Sequence, residues 1–461
     1  MDLESSTSSV AAPSVASLLL ALSLALACTA GEEAPVAAAP RPGLNVIVVS
    51  FDALRADALG SYGSTRGASP QIDAWAKRSI VFENSYAVSP VTPTSFASLF
   101  SGQPPLEVFR DWRFAAAGGL APSFAAAGYA TGAFLHNPQL DSERGFGAGF
   151  EKYVVFGSVD GRLDARVVTR ALDWMTRQSR PFFAWIHLLD PHAAWDRYDL
   201  AVELYDPGYR GRYAESGPGK ALVESDPVEL ERLESLYAGE VFVADHHFGR
   251  LLSALETAGL LEQSALLLTA DHGEGLMDHG LLQHGELYEE DLRIPLILGL
   301  PDLEAGRRVR TPVTQLDIFP TLASLAGVPV AHPVAGRDLT QVLEGERGVV
   351  GVAYTDRRRS QASLLDEGGL KVIVACGRHA TGGPPSRRLF DLRSDPEERQ
   401  DLAANRSAEA EALERRLWAK LGLTGCEDLT MDLGAGRHPH EGLDPEAVRR
   451  LEALGYTIGT P

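Results

Sequence analysis

Four apolar runs of strand length, far apart in the chain, each stop at residues able to bind a cation or move a proton. In LNVIVVSFDALRAD the Val- and Ile-rich run from Asn45 to Ser50 is followed at once by Asp52 and then by a helix-like ALRADALG. GYATGAFLHN ends in His136 and Asn137, PFFAWIHLLDPH delivers His187, Asp190 and His192, and LLLTADHGEG ends in Asp271, His272 and Gly273. Continuous apolar runs of this kind are strands buried on both faces, as in a parallel sheet covered by helices. Ligands of such open α/β sheets bind outside the carboxyl ends of the strands, so residues remote in sequence are expected to converge there. A polar turn after a buried strand would account for one such end, but not for four.

The same pattern sets the expected organisation. From about Gly43 to Gly345 strands and helices alternate, which predicts an α/β fold with a mostly parallel sheet sandwiched between helices. From about Val349 the strand-like VVGVAY, LKVIVAC and RRLFDL lie close together before a helical AEAEALERRLWAKL, so a small antiparallel α+β subdomain is expected. The expected boundaries are residues 1–30 for an export signal, 31–43 for a linker, 44–345 for the catalytic domain, 346–440 for the C-terminal subdomain and 441–461 for a helical tail. Residues 198–227, rich in Gly, Tyr, Asp and Arg, are the expected substrate-gating insertion.

VASLLLALSLALACTA, residues 15–30, is uncharged, too short to span a membrane readily and of the size of a signal-peptide core. It predicts an exported, periplasmic or cell-envelope protein. Cys28 closes a LALAC box similar to a bacterial lipoprotein cleavage site, making lipid attachment through Cys28 one outcome and a plain cleaved signal or an uncleaved anchor the others. Two cysteines then remain, Cys376 and Cys426, an even pair that an oxidising compartment would join and a reducing one would leave as thiols. The net charge of −20 argues against nucleic-acid binding, since tracking a phosphate backbone needs a basic face. With such a charge, any anionic ligand would have to be drawn in locally, by a metal and histidines. No protein partner is predicted.

FDALRADALGSYG, IDAWAKRSIVFENSYAVSPVTPTSFASLFSG, LLDPH, TADHGEG, HGELYEEDLRIPLIL, TQLDIFPTLASLAGVPV, GRDL and LFDLRSDPEERQDLA follow one another in an order and spacing that resemble the sulfatase family of the alkaline phosphatase superfamily. The resemblance runs from Asn45 to about Leu402. It implies an alkaline-phosphatase-like fold, a hydrolase of sulfate or phosphate and phosphonate esters, and an anionic ester as substrate.

The chain departs from the family at informative places. Sulfatases resemble one another in a Cys-x-Pro-x-Arg motif whose Cys or Ser matures to formylglycine; in VTPTSFASLFSG, Thr92 takes the nucleophile position and Phe96 the arginine position, so no formylglycine can form there. Thr92 is similar to the threonine nucleophile of the superfamily's phosphodiesterases and phosphonate hydrolases, which a metal activates. Ala53 stands where many members have a second aspartate, and His272 where many have asparagine. The metal ligands implied are Asp52, Thr92, Asp271 and His272. Three oxygens and an imidazole suit zinc or manganese better than calcium, which takes six to eight oxygens. One divalent ion is expected, with a second left open.

By the same resemblance His192 and His284 bind the anion and carry a proton to the leaving oxygen, while Asn137 and His187 assist at the substrate as oxyanion and supporting residues. Without the arginine, either a less highly charged ester is turned over or a degenerate member binds anionic glycans or lipid head groups without catalysis. His246 and His247, in a helical YAGEVFVADHHFGRLLSALETAGLL, are expected to face solvent or a helix end.

Overall fold

A computed structural model of the protein describes residues 40–429, apart from 111–112, 115–117, 158–162, 194, 196–197, 210–225, 302–305, 343–349, 356–358 and 379–384. The export signal and Cys28, most of the linker, the C-terminal tail and the centre of the expected gating insertion lie outside the described residues.

The larger part of the described residues is built on an eight-stranded sheet. Its strands are β1 (Asn45–Phe51), β2 (Ile80–Phe82), β3 (Ala130–Leu135), β4 (Lys152–Val155), β5 (Phe182–Leu188), β6 (Ser264–Ala270), β7 (Leu296–Gly299) and β8 (Arg307–Val309). They lie in the order β8-β2-β7-β6-β1-β5-β3-β4, and only β7 runs against its neighbours. The sheet is thus mostly parallel, as its continuous apolar runs require.

Period-two alternation along β1 divides the interior into two layers. Val46 and Val48 face a core shared with Phe96, Phe124, Phe183 and Phe319. Ile47, Val49 and Phe51 face another, shared with Trp75, Val168, Phe248 and Leu251. Helices cover both sides: α1 (Pro70–Ala76), α2 (Thr92–Ser101), α3 (Asp164–Met175), α4 (Pro227–Thr257), a one-turn α5 (Glu289–Leu292) and α6 (Ile318–Ala326). On α4, His246 is exposed as expected, but His247 is buried in the middle of the helix, contrary to the expectation that it faces solvent or a helix end. The reason is helical spacing: His247 sits three residues after Ala244 and four before Leu251, within the buried stripe.

The C-terminal subdomain is a four-stranded antiparallel sheet, β9 (Val350–Thr355), β10 (Arg359–Leu365), β11 (Leu370–Arg378) and β12 (Ser386–Asp391), packed on α7 (Ser407–Leu421). Three of these strands are those expected, and β10 is additional. A disulfide joins Cys376 of β11 to Cys426 beyond α7, 50 residues on. By the chain-entropy argument a loop of that length is worth about 4 kcal/mol to the folded state, which matters for a subdomain with a small apolar core.

Candidate active site

The carboxyl ends of four neighbouring strands, β6, β1, β5 and β3, carry the residues picked out by sequence. Backbone bonds hold these ends in register past the last strand residue: Asp52 N donates to Leu188 O (2.9 Å), Asp271 N to Phe51 O (3.3 Å) and His136 N to His187 O (2.9 Å). Asp52, Thr92, Asn137, His187, Asp271 and His272 are completely buried, and His192 nearly so; His284 is partly buried.

The two carboxylates are placed by the backbone around Ala53. Ala53 adopts the left-handed conformation (φ 58°) and donates its N–H to Asp271 Oδ1 at 3.1 Å, while Tyr237 OH holds its carbonyl at 2.8 Å. His272 N donates to the same Oδ1 at 2.8 Å. Asp271 Oδ2 is thereby left without a hydrogen-bond partner, as is Asp52 Oδ1. An unsatisfied buried carboxylate oxygen is costly, and two together call for a cation. Asp52, His187 and Asp271 each offer one ligand atom, all within 4.8 Å of one another. This group can hold a metal ion.

His272 adds a further donor. Its Nδ1 lies 2.8 Å from Gly273 O, and a carbonyl only accepts, so Nδ1 carries the proton. Nε2 keeps its lone pair and lies 3.9 Å from Asp52 Oδ1, 3.5 Å from Asp271 Oδ2 and 3.3 Å from Thr92 Oγ1. Burial, outweighing the nearby Asp52 charge, pushes the imidazole down to about 4, so it is neutral at neutral pH. A neutral imidazole fixed by a carbonyl at its other nitrogen is the form in which histidine binds metals.

Burial and the charge of Asp52 hold the Asp271 carboxyl well above the ordinary carboxylate range. Burial acts on Asp52 in the same direction, but His192, His187 and His272 outweigh it and hold Asp52 well below that range. Without a cation the pair therefore favours a proton on Asp271 over one on Asp52.

Thr92 is the first residue of α2, after Val91 in extended conformation and with Pro93 in the first turn. Its hydroxyl thus lies at the positive end of a ten-residue helix. Two residues that sequence reasoning did not single out fasten this helix to the end of β6. Ser95 Oγ donates to Asp271 O at 2.7 Å, and Gln315 Nε2 donates to Asp271 O and Ala270 O at 2.8 and 3.0 Å, while its Oε1 accepts from Val88 N at 3.1 Å. Gln315 lies in the TQLDIF block; its type and place gave no chemical cue.

The histidines face the same space. His284 donates Nδ1–H to Pro90 O (2.7 Å), its ring 4.0 Å from that of His272 and 5.5 Å from that of His192. Burial, reinforced by His272 and His192, lowers its basicity strongly. Asn137 is turned toward a carboxylate: Nδ2 donates to Asp52 Oδ2 at 2.6 Å, and Oδ1 accepts from Gln139 N at 2.8 Å. His187 Nε2 lies 3.4 Å from Asp52 Oδ2, and its Nδ1 3.1 Å from Ser50 Oγ. When Nδ1–H donates to Ser50, Nε2 offers a lone pair to a cation; in the other tautomer Nε2–H faces Asp52.

Phe96, at the arginine position, is fully buried 4.9 Å from both the Trp185 and the His187 rings, edge-on to the latter. It belongs to the aromatic floor of the site. Below the site, His136 Nδ1 meets Asp164 Oδ1 at 2.6 Å, and the Asp164 carboxylate accepts the amides of Leu189 (3.2 Å) and Asp190 (3.0 Å), fixing the turn that leads to His192.

An open, mostly parallel sheet bearing carboxylates, imidazoles and a helix-start hydroxyl at its carboxyl edge is the architecture of alkaline-phosphatase-like hydrolases. The Sulfatase family model matches residues 44–328, and the chain belongs to that family. It is 24% identical over 437 residues to an arylsulfatase of Clostridium perfringens, covering 78% of this chain and 90% of that one. With arylsulfatase K of Bos taurus it shares 24% identity over 227 residues, 47% of this chain but only 41% of the bovine protein. Among solved structures it is similar to the phosphonate monoester hydrolase of Agrobacterium radiobacter, with a TM-score of 0.68 and 20% identity over 82% of this chain and 95% of that one. The chain spans about two fifths of the length of the arylsulfatase K relatives it matches, and the fit to the phosphonate monoester hydrolase supports the fold.

Proposed function

We propose that the protein is a metal-dependent hydrolase of sulfate or phosphate and phosphonate esters in which Thr92 replaces formylglycine as the nucleophile. The observation that carries this reading is that Asp52, His187 and Asp271 bring ligand atoms within 4.8 Å of one another, with Asp52 Oδ1 and Asp271 Oδ2 both lacking partners and His272 Nε2 lying 3.9 Å from the first, 3.5 Å from the second and 3.3 Å from Thr92 Oγ1. The ligands proposed are Asp52, Asp271, His272 and Thr92, together with His187, which with Asp52 and Asp271 forms the group whose ligand atoms lie within 4.8 Å of one another. Two carboxylates with imidazole suit zinc or manganese, and Ala53 contributes none of the extra oxygens that calcium would use. A divalent ion there would supply a Lewis acid that makes the Thr92 hydroxyl acidic and offsets charge on the transferred group.

The chain's own residues account for the remaining steps. Thr92 Oγ1 forms a bond to sulfur or phosphorus as the bond to the leaving oxygen breaks; water then cleaves the threonine ester and restores the hydroxyl. The start of α2 favours the anion electrostatically. His192 and His284 bind the ester oxygens and carry the proton to the leaving oxygen; the arriving anion raises the basicity that burial had depressed in His284. Asn137 orients Asp52. Phe96 provides no guanidinium, so esters with a single negative charge at the reacting centre, such as sulfate monoesters, phosphate diesters and phosphonate monoesters, are favoured over dianionic phosphate monoesters.

Export to the cell envelope, with Cys28 as a candidate lipid anchor, belongs to the same reading. The Cys376–Cys426 disulfide supports an oxidising compartment.

Purified protein assayed on aryl sulfate, phosphate monoester, phosphate diester and phosphonate monoester, with a chelator and then with added zinc or manganese, tests the proposal. Metal-dependent turnover of a singly charged ester is expected. No turnover of any ester with metal bound would leave the scaffold as a silent binder of anionic glycans or lipid head groups.

A further inference from the structure

We infer that Lys371, on the C-terminal sheet, is a positioning residue that fixes the loop carrying His284 from outside the catalytic domain. The inference rests on the reading that His284 carries the leaving-group proton. The link begins with α5, a single turn of four residues, too short to persist without tertiary support.

Lys371 is 2% exposed, and its Nζ lies 2.9 Å from Glu289 Oε1 in α5 and 3.0 Å from Glu398 Oε1. Glu398, equally buried, uses Oε2 to accept the Glu289 N–H at 2.6 Å, and so binds the start of α5 directly. A second contact lies alongside. His279 has Nδ1 2.6 Å from Glu290 Oε1 and Nε2 3.1 Å from Glu398 O; both partners only accept, so the ring carries both protons. It stacks on Tyr288 at 3.7 Å, and Arg388 of β12 reaches the Tyr288 hydroxyl and sits 5.4 Å over its ring.

What these contacts hold is the junction of two parts of the site. Asp291 of α5 accepts the Gly285 and Glu286 amides on Oδ2, at 2.8 and 2.7 Å, immediately after His284. The backbone of α5 also receives the Gly273 amide on Asp291 O (2.8 Å) and the Glu274 amide on Glu290 O (3.0 Å), immediately after His272. The approach is so close that a Cβ at Gly273 would lie 1.8 Å from Glu290 O. His272 and His284, whose rings are 4.0 Å apart, are therefore spaced by one short helix held by the C-terminal subdomain. Attachment alone would be served as well by apolar side chains, since burying a lysine and two glutamates costs desolvation; directional ion pairs add a defined placement of α5.

The test is Lys371→Met in the full-length, metal-loaded protein, read by amide hydrogen exchange and by hydrolysis of a leaving-group series. Exchange at Gly285 and Glu286 is expected to accelerate by about tenfold or more, as a local opening becomes easier. A displaced proton donor matters most for poor leaving groups, so the phenyl ester should lose about tenfold more rate than the 4-nitrophenyl ester, with KM little changed. Unchanged exchange, or an equal loss for both esters, would overturn the inference. If the wild-type protein hydrolyses no ester, the functional reading fails, and exchange alone decides whether Lys371 fixes the loop. If Lys371→Met does not fold, Lys371→Met with Glu289→Gln and Glu398→Gln removes the whole set without stranding a charge and is held to the same two readouts. Failure of that variant to fold would show the set to be needed for folding itself and would also overturn the positioning role.

Discussion

Thr92→Ala is expected to lower kcat on the preferred ester by about 10³- to 10⁶-fold, the range found when a covalent nucleophile is removed from an otherwise intact site. KM should change little, because the substituted group acts on the reacting atom and contributes little to binding the rest of the substrate. Asp52, Asp271 and His272 remain in the variant, so metal should still bind with one proposed ligand fewer, and Thr92→Ser should retain much of the rate. The contrast separates a nucleophile from a structural residue. Thr92 Oγ1 touches His272 Nε2 at 3.3 Å, and a merely structural hydroxyl would alter metal binding or stability in proportion to its effect on rate. Measured kcat for Thr92→Ala within tenfold of wild type removes Thr92 from the chemistry.

Asp271→Asn should abolish most metal binding and reduce kcat/KM by about 10³-fold, as when a principal electrostatic contributor to a transition state is lost. The amide oxygen can still accept the Ala53 and His272 amides, as Oδ1 does now. The NH₂ group, however, then replaces the partnerless Oδ2 that faces the proposed cation. In chelator-treated protein the effect on stability should have the opposite sign. Asp271 has its folded-state pKa raised above the ordinary value of 3.8, by burial first and by the charge of Asp52 second. Above that ordinary value the folded state holds a proton that the unfolded chain has released. Stability of the metal-free wild type is therefore full below the carboxylate range and falls as pH rises toward the raised pKa, by about 1.4 kcal/mol per pH unit for one proton. Asp271→Asn lacks this slope and should be the more stable protein at neutral pH without metal. Denaturation midpoints across pH, with and without zinc, would show the two curves exchanging order.

The parts of the site that were legible in the sequence are those where chemistry and strand ends coincide. Asp52, Asp271 and His272 follow directly from apolar runs, and the two-layer core follows from the alternation within β1. Thr92 was singled out by resemblance only, as VTPTSFASLFSG offers many hydroxyls and nothing local distinguishes one.

What was not legible depends on contacts between distant segments. His187 was read by resemblance as a supporting residue at the substrate, whereas the fold places it 3.4 Å from Asp52, among the atoms that can hold a cation. Gln315 and Ser95 stabilise the placement of Thr92 through backbone carbonyls, which any sequence supplies. Strand β10 was hidden because Ser360, Gln361 and Ser363 read as polar yet are buried. Lys371, at the start of LKVIVAC, carries no cue of its own, and only the fold reveals the two glutamates that neutralise it.

The central claim is that one divalent cation sits between Asp52, Asp271 and His272 beside the Thr92 hydroxyl. Anomalous diffraction from crystals of the protein loaded with zinc, and separately with manganese, tests it most directly. The account predicts a strong peak at about 2.0–2.3 Å from Asp52, Asp271 and His272, with Thr92 Oγ1 within reach of it. A peak bound elsewhere, or none at these residues after loading with either metal, would contradict it.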